Sequence, residues 1–173
     1  NELRLAAQLP SQVSRVTDSS IPQATPLPLA KLKILLAEDG PDNQRLIAHI
    51  LRKAGADVQI AENGKLAIEM LTIDGTLNSP LRIPIPFDLL LSDIQMPVMD
   101  GYATARWLRA RGSAIPIVAL TAHAMSSDLE LCIDAGCNAY ATKPIEKAML
   151  IEVCRQWGNK LPNSAVQHLS PVT

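Results

Sequence analysis

Leu89-Leu90-Leu91-Ser92-Asp93-Ile94-Gln95-Met96-Pro97-Val98-Met99-Asp100-Gly101 is the stretch whose reading decides the fold. It opens as an apolar run, ends at one carboxylate, and passes into a loop punctuated by Pro97 and Gly101. A short apolar run bounded by turn signals reads as a strand buried on both faces, as in a parallel sheet. An acid at the carboxyl end of such a strand lies where open α/β sheets bind their ligands. Alone, Asp93 would read as a cap for the next turn. A second acidic pair, Glu38-Asp39, follows another apolar run, Ile34-Leu35-Leu36-Ala37. Two strand ends offering three carboxylates to one crevice point to a hard-cation site, because Mg²⁺ takes oxygen ligands and few protein carboxylates.

Working outward, strands and helices alternate. Lys33–Ala37 reads as a first strand and Pro41 suits the first position of a helix. Leu46, Ile47, Ile50, Leu51 and Ala54 recur at helical spacing, and Gly55 fits a left-handed stop. Val58–Ala61 is a second strand, and Asn63 caps a helix carrying Ala67, Met70 and Leu71. Residues 72–87 hold Gly75, Asn78, Pro80, Pro84 and Pro86, which predicts an extended loop with no central strand. It enters the amino end of the third strand, away from the carboxylates. Either it is a tolerated surface insertion or it binds a partner. A helix with Ala103, Trp107 and Leu108 follows Asp93, then a strand over Ile117–Leu120 ending at Thr121. Leu129, Cys132, Ile133 and Ala135 suggest a fourth helix and Asn138–Thr142 a fifth strand. A last helix places Leu150, Val153, Cys154 and Trp157 on one face. This alternation predicts an α/β doubly wound parallel sheet of five strands with helices on both faces.

The motifs on this scaffold resemble one family. Ala37-Glu38-Asp39, Ser92 to Gly101, Ala119-Leu120-Thr121-Ala122 and Thr142-Lys143-Pro144 resemble the response-regulator receiver domain, in family order. The version most like it is fused to hybrid sensor histidine kinases, where Asp39-Gly40-Pro41-Asp42-Asn43-Gln44 and Thr121-Ala122-His123-Ala124-Met125 have close counterparts. The resemblance spans Lys33 to Gly158. It implies a flavodoxin-like strand order 2-1-3-4-5 and Asp93 as phosphoacceptor. It also implies Mg²⁺ (or Mn²⁺) held by Glu38, Asp39, Asp93 and the Gln95 backbone carbonyl. Lys143 and Thr121 would contact the phosphoryl group, and Thr121 and Tyr140 would form a conformational switch. Gln95 and His123 would tune how long the phosphoryl group lasts. The implied partners are a histidine kinase or histidine phosphotransfer domain and a downstream signalling protein. The ordinary readings are a strand-capping lysine for Lys143 and a half-buried strand aromatic for Tyr140.

Two other functions compete. A Mg²⁺-dependent aspartyl phosphatase would need a second acid two residues after the nucleophile, where Gln95 stands. A receiver-like domain that is never phosphorylated fits poorly with Glu38, Asp39, Asp93, Thr121 and Lys143 occurring together. The chain by itself reads as a phosphoacceptor and not as an enzyme with turnover.

Composition narrows the rest. Apolar residues are 47% of 173, yet aromatics are only 3%, so the core must be aliphatic. A net charge of −1 makes no electrostatic case for nucleic acid or an anionic membrane. No apolar segment has bilayer-spanning length and no secretory leader pattern opens the sequence. Cys132, Cys137 and Cys154 lack metal or disulfide spacing and read as core residues in a reducing cytoplasm.

Residues 1–30 read as a linker rich in Ser, Thr, Gln and Pro. The alternation of Leu3, Leu5, Ala7 and Leu9 within them fits either a leader or the closing strand of an upstream kinase ATPase domain. The receiver occupies 31–160 and a short tail 161–173. The tail leaves no room for a DNA-binding output, and a first residue of Asn1 suggests part of a longer chain. A hybrid kinase is therefore the expected parent, with a free-standing regulator as the alternative.

Overall fold

The computed structural model describes residues 26–122 and 126–160. The strands are β1 (Lys33–Ala37), β2 (Asp57–Ala61), β3 (Leu89–Asp93), β4 (Ile117–Thr121) and β5 (Ala139–Thr142). The helices are α1 (Pro41–Lys53), α2 (Gly64–Leu71), α3 (Gly101–Ala110), α4 (Ser126–Ala135) and α5 (Lys147–Gly158). All strand pairs are parallel and the order is β2-β1-β3-β4-β5, as the resemblance implied.

Residue alternation along the strands assigns the two faces. Ile34, Leu36, Leu89, Leu91, Val118 and Leu120 pack with the buried side of α1 and α5. Leu35, Ala37, Leu90, Ile117 and Ala119 join a second core with α2, α3 and α4. Every residue of β3 and β4 is buried, which accounts for their unbroken apolar runs. Cys132, Cys137 and Cys154 are buried free thiols, and burial pushes Cys154 up to about 12.

Helix ends follow local chemistry. Pro41 opens α1 after Gly40, which offers no side-chain cap. Asn63 Oδ1 accepts from Leu66 N at 3.0 Å and starts α2. Gly55 follows α1 at φ +102°, a conformation in which side chains are strained. Two helical expectations fail. Leu46 is 56% exposed, because it projects beside the core stripe that Ile47, Ala48, Ile50 and Leu51 occupy. Ile133 on α4 is 48% exposed, outside the side formed by Cys132 and Ala135.

The segment between α2 and β3 is more structured than a plain surface loop. Thr72 and Leu81 form an antiparallel bridge, Ile73 N donates to Pro80 O, and Arg82 N donates to Leu71 O. Arg82 Nε also reaches Thr72 O at 2.7 Å, and Asp74 Oδ1 accepts from the Thr76 amide and hydroxyl. Leu81 and Ile85 pack against the core and Phe87 is buried, while Ile83 is 92% exposed.

Replacing Leu91, fully buried on the central strand, by Ala is expected to destabilise the domain by about 3 kcal/mol. Leu46→Ser should change stability by about 0.5 kcal/mol or less. Urea denaturation of both variants checks the pair.

Candidate functional site

Strand parity brings the charged groups together. Glu38 and Asp93 are the next positions after Leu36 and Leu91 on the α1/α5 face, and Lys143 is the next after Ala139 and Ala141. The ladder carries past two strand ends to hold them. Glu38 N donates to Ala61 O at 3.0 Å, and Lys143 N donates to Thr121 O at 2.8 Å. The site therefore sits at the carboxyl end of β1 and β3, where the strand order reverses.

Lys143 Nζ donates to Glu38 Oε2 at 2.8 Å and to Asp93 Oδ2 at 2.6 Å. One oxygen from each of Glu38, Asp39 and Asp93 lies within 4.8 Å of the others. One ammonium against three carboxylates leaves two negative charges uncompensated. Such an all-oxygen donor set fits a hard divalent cation. Glu38 and Asp93 are buried and Asp39 is exposed. Burial raises the Asp93 carboxyl above its ordinary range, and the Glu38 charge adds to this against the opposing pull of Lys143. Burial would lower the Lys143 pKa, but its bonds to Asp93 and Glu38 outweigh that and raise it.

The acidic cluster meets solvent through Asp39, which lines an open cleft. A cleft of about 510 Å³ is lined by Asp39, Gln95, Met96, Pro97, Thr121 and their neighbours. Gln95 N donates to Asp93 Oδ1 at 3.2 Å, tying the loop to the carboxylate. Thr121 is buried at the end of β4 on the wall of this cleft. Tyr140 is half-buried and pairs with Ala119, so it faces the same side of the sheet as Thr121. His123 lies outside the described residues.

The β3–α3 loop is tightly turned. Met99 N donates to Pro97 O at 2.7 Å across Val98, which adopts φ 68°, an outlier for a β-branched residue. Asp100 Oδ1 caps α3 by accepting from Ala103 N at 2.7 Å. A Cβ on Gly101 would collide with the carbonyl oxygen of Asp93, so only glycine lets α3 begin this close to the acid.

Two contributors escape sequence reasoning. Asn43 Nδ2 and Gly40 N both donate to Glu38 Oε1, at 3.2 and 3.1 Å. Gln44 Nε2 donates to Glu38 O at 2.6 Å. Together they fix Glu38 by its backbone carbonyl and one carboxylate oxygen, the other oxygen being held by Lys143. In the sequence, Asn43 and Gln44 stand within the Asp39 to Gln44 motif, but nothing there assigns them a role at Glu38.

Fold and site together define a parallel α/β domain with an acidic centre and one lysine at its switch point. The family model for the response regulator receiver domain matches residues 34–155. The chain thus belongs to the response regulator receiver domain family of two-component signalling. It is 38% identical over 149 residues to histidine kinase 1 of Arabidopsis thaliana, covering 71% of this chain and 12% of that protein. It is 35% identical over 144 residues to the sensor histidine kinase GacS of Pseudomonas protegens, covering 80% of this chain and 14% of that protein. A structural neighbour is the receiver domain of a sensor histidine kinase from Pseudomonas aeruginosa, described with a magnesium ion coordinated in its active site cleft. That neighbour has a TM-score of 0.61 and 34% identity, and the match covers 76% of this chain and all of the other. The chain spans only a small part of the kinases it matches. Among the described residues, no helix is long and apolar enough to cross a membrane.

Removing the lysine isolates its effect on the acid. Lys143→Met is expected to raise the Asp93 pKa further, because burial and Glu38 are then opposed only by the Gln95 amide bond. Titration followed by carboxyl-carbon NMR checks the sign, and an unchanged or lower value contradicts it.

Proposed function

We propose that this chain is the phosphoacceptor of a phosphorelay, receiving a phosphoryl group on Asp93 from a phosphohistidine. The observation that carries the reading is the pair of hydrogen bonds from Lys143 Nζ to Asp93 and Glu38, beside three converging carboxylates. A carboxylate oxygen of Asp93 attacks phosphorus and forms an acyl phosphate. The phosphorus–nitrogen bond of the donor breaks and its electron pair returns to the imidazole.

Phosphoryl transfer asks the protein mainly for alignment and charge compensation. Glu38, Asp39, Asp93 and the Gln95 backbone carbonyl would hold Mg²⁺ (or Mn²⁺), with Glu38 acting through water. The magnesium described in the Pseudomonas aeruginosa neighbour supports this assignment. When bound, such an ion neutralises oxygen charge on the transferring group. Lys143 then exchanges part of its pairing with Asp93 for a phosphoryl oxygen, acting as a point charge. Thr121 donates its hydroxyl to the same group, and its displacement makes room for Tyr140 to turn inward. A local charge event thereby biases a two-state surface. Gln95 and His123 tune how long the phosphoryl group lasts.

In this reading residues 1–30 are a linker, 31–160 the receiver and 161–173 a tail. The parent protein is a hybrid sensor histidine kinase, in keeping with the kinases it matches. The chain itself is an acceptor without sustained turnover and works in the cytoplasm. Its partners are a histidine kinase or histidine phosphotransfer domain and a downstream signalling protein.

With Mg²⁺ and a small acyl phosphate donor, intact-mass spectrometry should show one phosphoryl group added. Asp93→Asn should abolish the addition; a label that persists on that variant moves the acceptor elsewhere. Lys143→Ala should still accept the group but leave the Tyr140 ring resonances unmoved. Movement equal to that of the parent protein would remove Lys143 from the switch.

A further inference from the structure

The end of the sheet opposite the acids carries a second, larger concavity. It has a volume of about 1000 Å³, equal to a cube about 10 Å on edge. One wall is the segment before β3, through Leu81, Ile83 and Ile85. The facing wall is the turn after α3, with Ile115 and Pro116, and the third is the end of α5 at Gly158–Lys160. Arg111 NH2 reaches Leu77 O at 3.4 Å and ties the first two walls together.

The ionic groups of this groove are already engaged. The Arg111 guanidinium lies 3.7 Å from the Trp107 ring centre, and the Lys160 ammonium 3.8 Å from that of Trp157. Asp88 Oδ2 accepts from Lys33 N at 2.8 Å. An occupant therefore needs apolar side chains and no charge, since an unpaired charge buried there would be costly.

One such segment begins on the groove wall itself. Residues 161–173 follow Lys160 directly and contain no Asp, Glu, Lys or Arg. They carry Leu161, Val166, Leu169 and Val172, with Pro162 and Pro171 restricting the unbound backbone. Thirteen residues reach up to about 45 Å when extended, several times the groove's width. Attachment also supplies an effective concentration on the order of millimolar, so weak contacts suffice. An untethered peptide must bear the full loss of translational freedom instead.

We propose that this groove is the docking site of the chain's own C-terminal segment, residues 161–173, with the insertion before β3 as its apolar wall. The proposal does not depend on the phosphoacceptor reading, since none of the acidic cluster lines the groove.

Hydrogen exchange of the full chain tests it against a chain ending at Lys160. The amides of Leu81, Ile83, Ile85 and Phe87 should exchange at least about tenfold faster without the segment. The full-length double variant Leu169→Asp, Val172→Asp should lose the same protection while its core amides keep theirs. Synthetic peptide 161–173 at millimolar concentration should restore protection to the shortened chain. Equal exchange in the parent and both variants overturns the proposal. Protection that fades on dilution of the full chain also overturns it, because that marks a second copy in the groove.

Discussion

The ammonium of Lys143 held between Glu38 and Asp93 is the contact on which the functional end of this domain depends. Three carboxylates within 4.8 Å repel one another, and two of them are buried, where water screens little. A cation from the far side of the active end offsets much of that repulsion. It can do so because β1, β3 and β5 deliver their next same-face positions to one place. The parallel sheet is therefore part of the electrostatics and not only a frame for it. The same arrangement leaves residual negative charge beside an open cleft that Asp39 lines, a donor set that could hold a divalent cation.

Much of this was legible in the residues because parallel strands buried on both faces write themselves as short apolar runs. Leu89–Asp93 and Ile117–Thr121 are such runs, and the polar residues that end them, Asp93 and Thr121, mark their carboxyl ends. Lys143 was legible only through its resemblance, since a lysine after a short strand has many ordinary uses. Asn43 and Gln44 were not legible, because their value comes from where Glu38 folds back over the first turn of α1. Leu46 and Ile133 misled for a related reason. Helical spacing names a stripe, but its edges are set by how wide the sheet beneath it is. The bridge between Thr72 and Leu81 was hidden by prolines, which exclude a central strand but permit an isolated pair.

The domain divides its work between its two ends. The carboxyl end holds the acids, the lysine and a strained turn at Val98, all within a few residues of strand termini. The amino end holds the segment between α2 and β3, where added chain disturbs no ligand position. Insertion there has few consequences for the chemistry, since loop closure grows only slowly with length. Arg109 braces the turns of that amino end. Its guanidinium donates to Gly136 O, Ser113 O and Asn138 Oδ1, linking the α3–β4 and α4–β5 connections through one side chain.

The two tryptophans also follow this division. Trp107 and Trp157 each lie beneath a cation whose residue borders the amino-end groove. The other rings are Phe87, Tyr102 and Tyr140, so the protein's tryptophan emission originates at that end. Tryptophan fluorescence therefore watches the groove, whereas Tyr102 lines the cleft beside the acids. A spectroscopist following the acid cluster by tryptophan emission would have to introduce a reporter there.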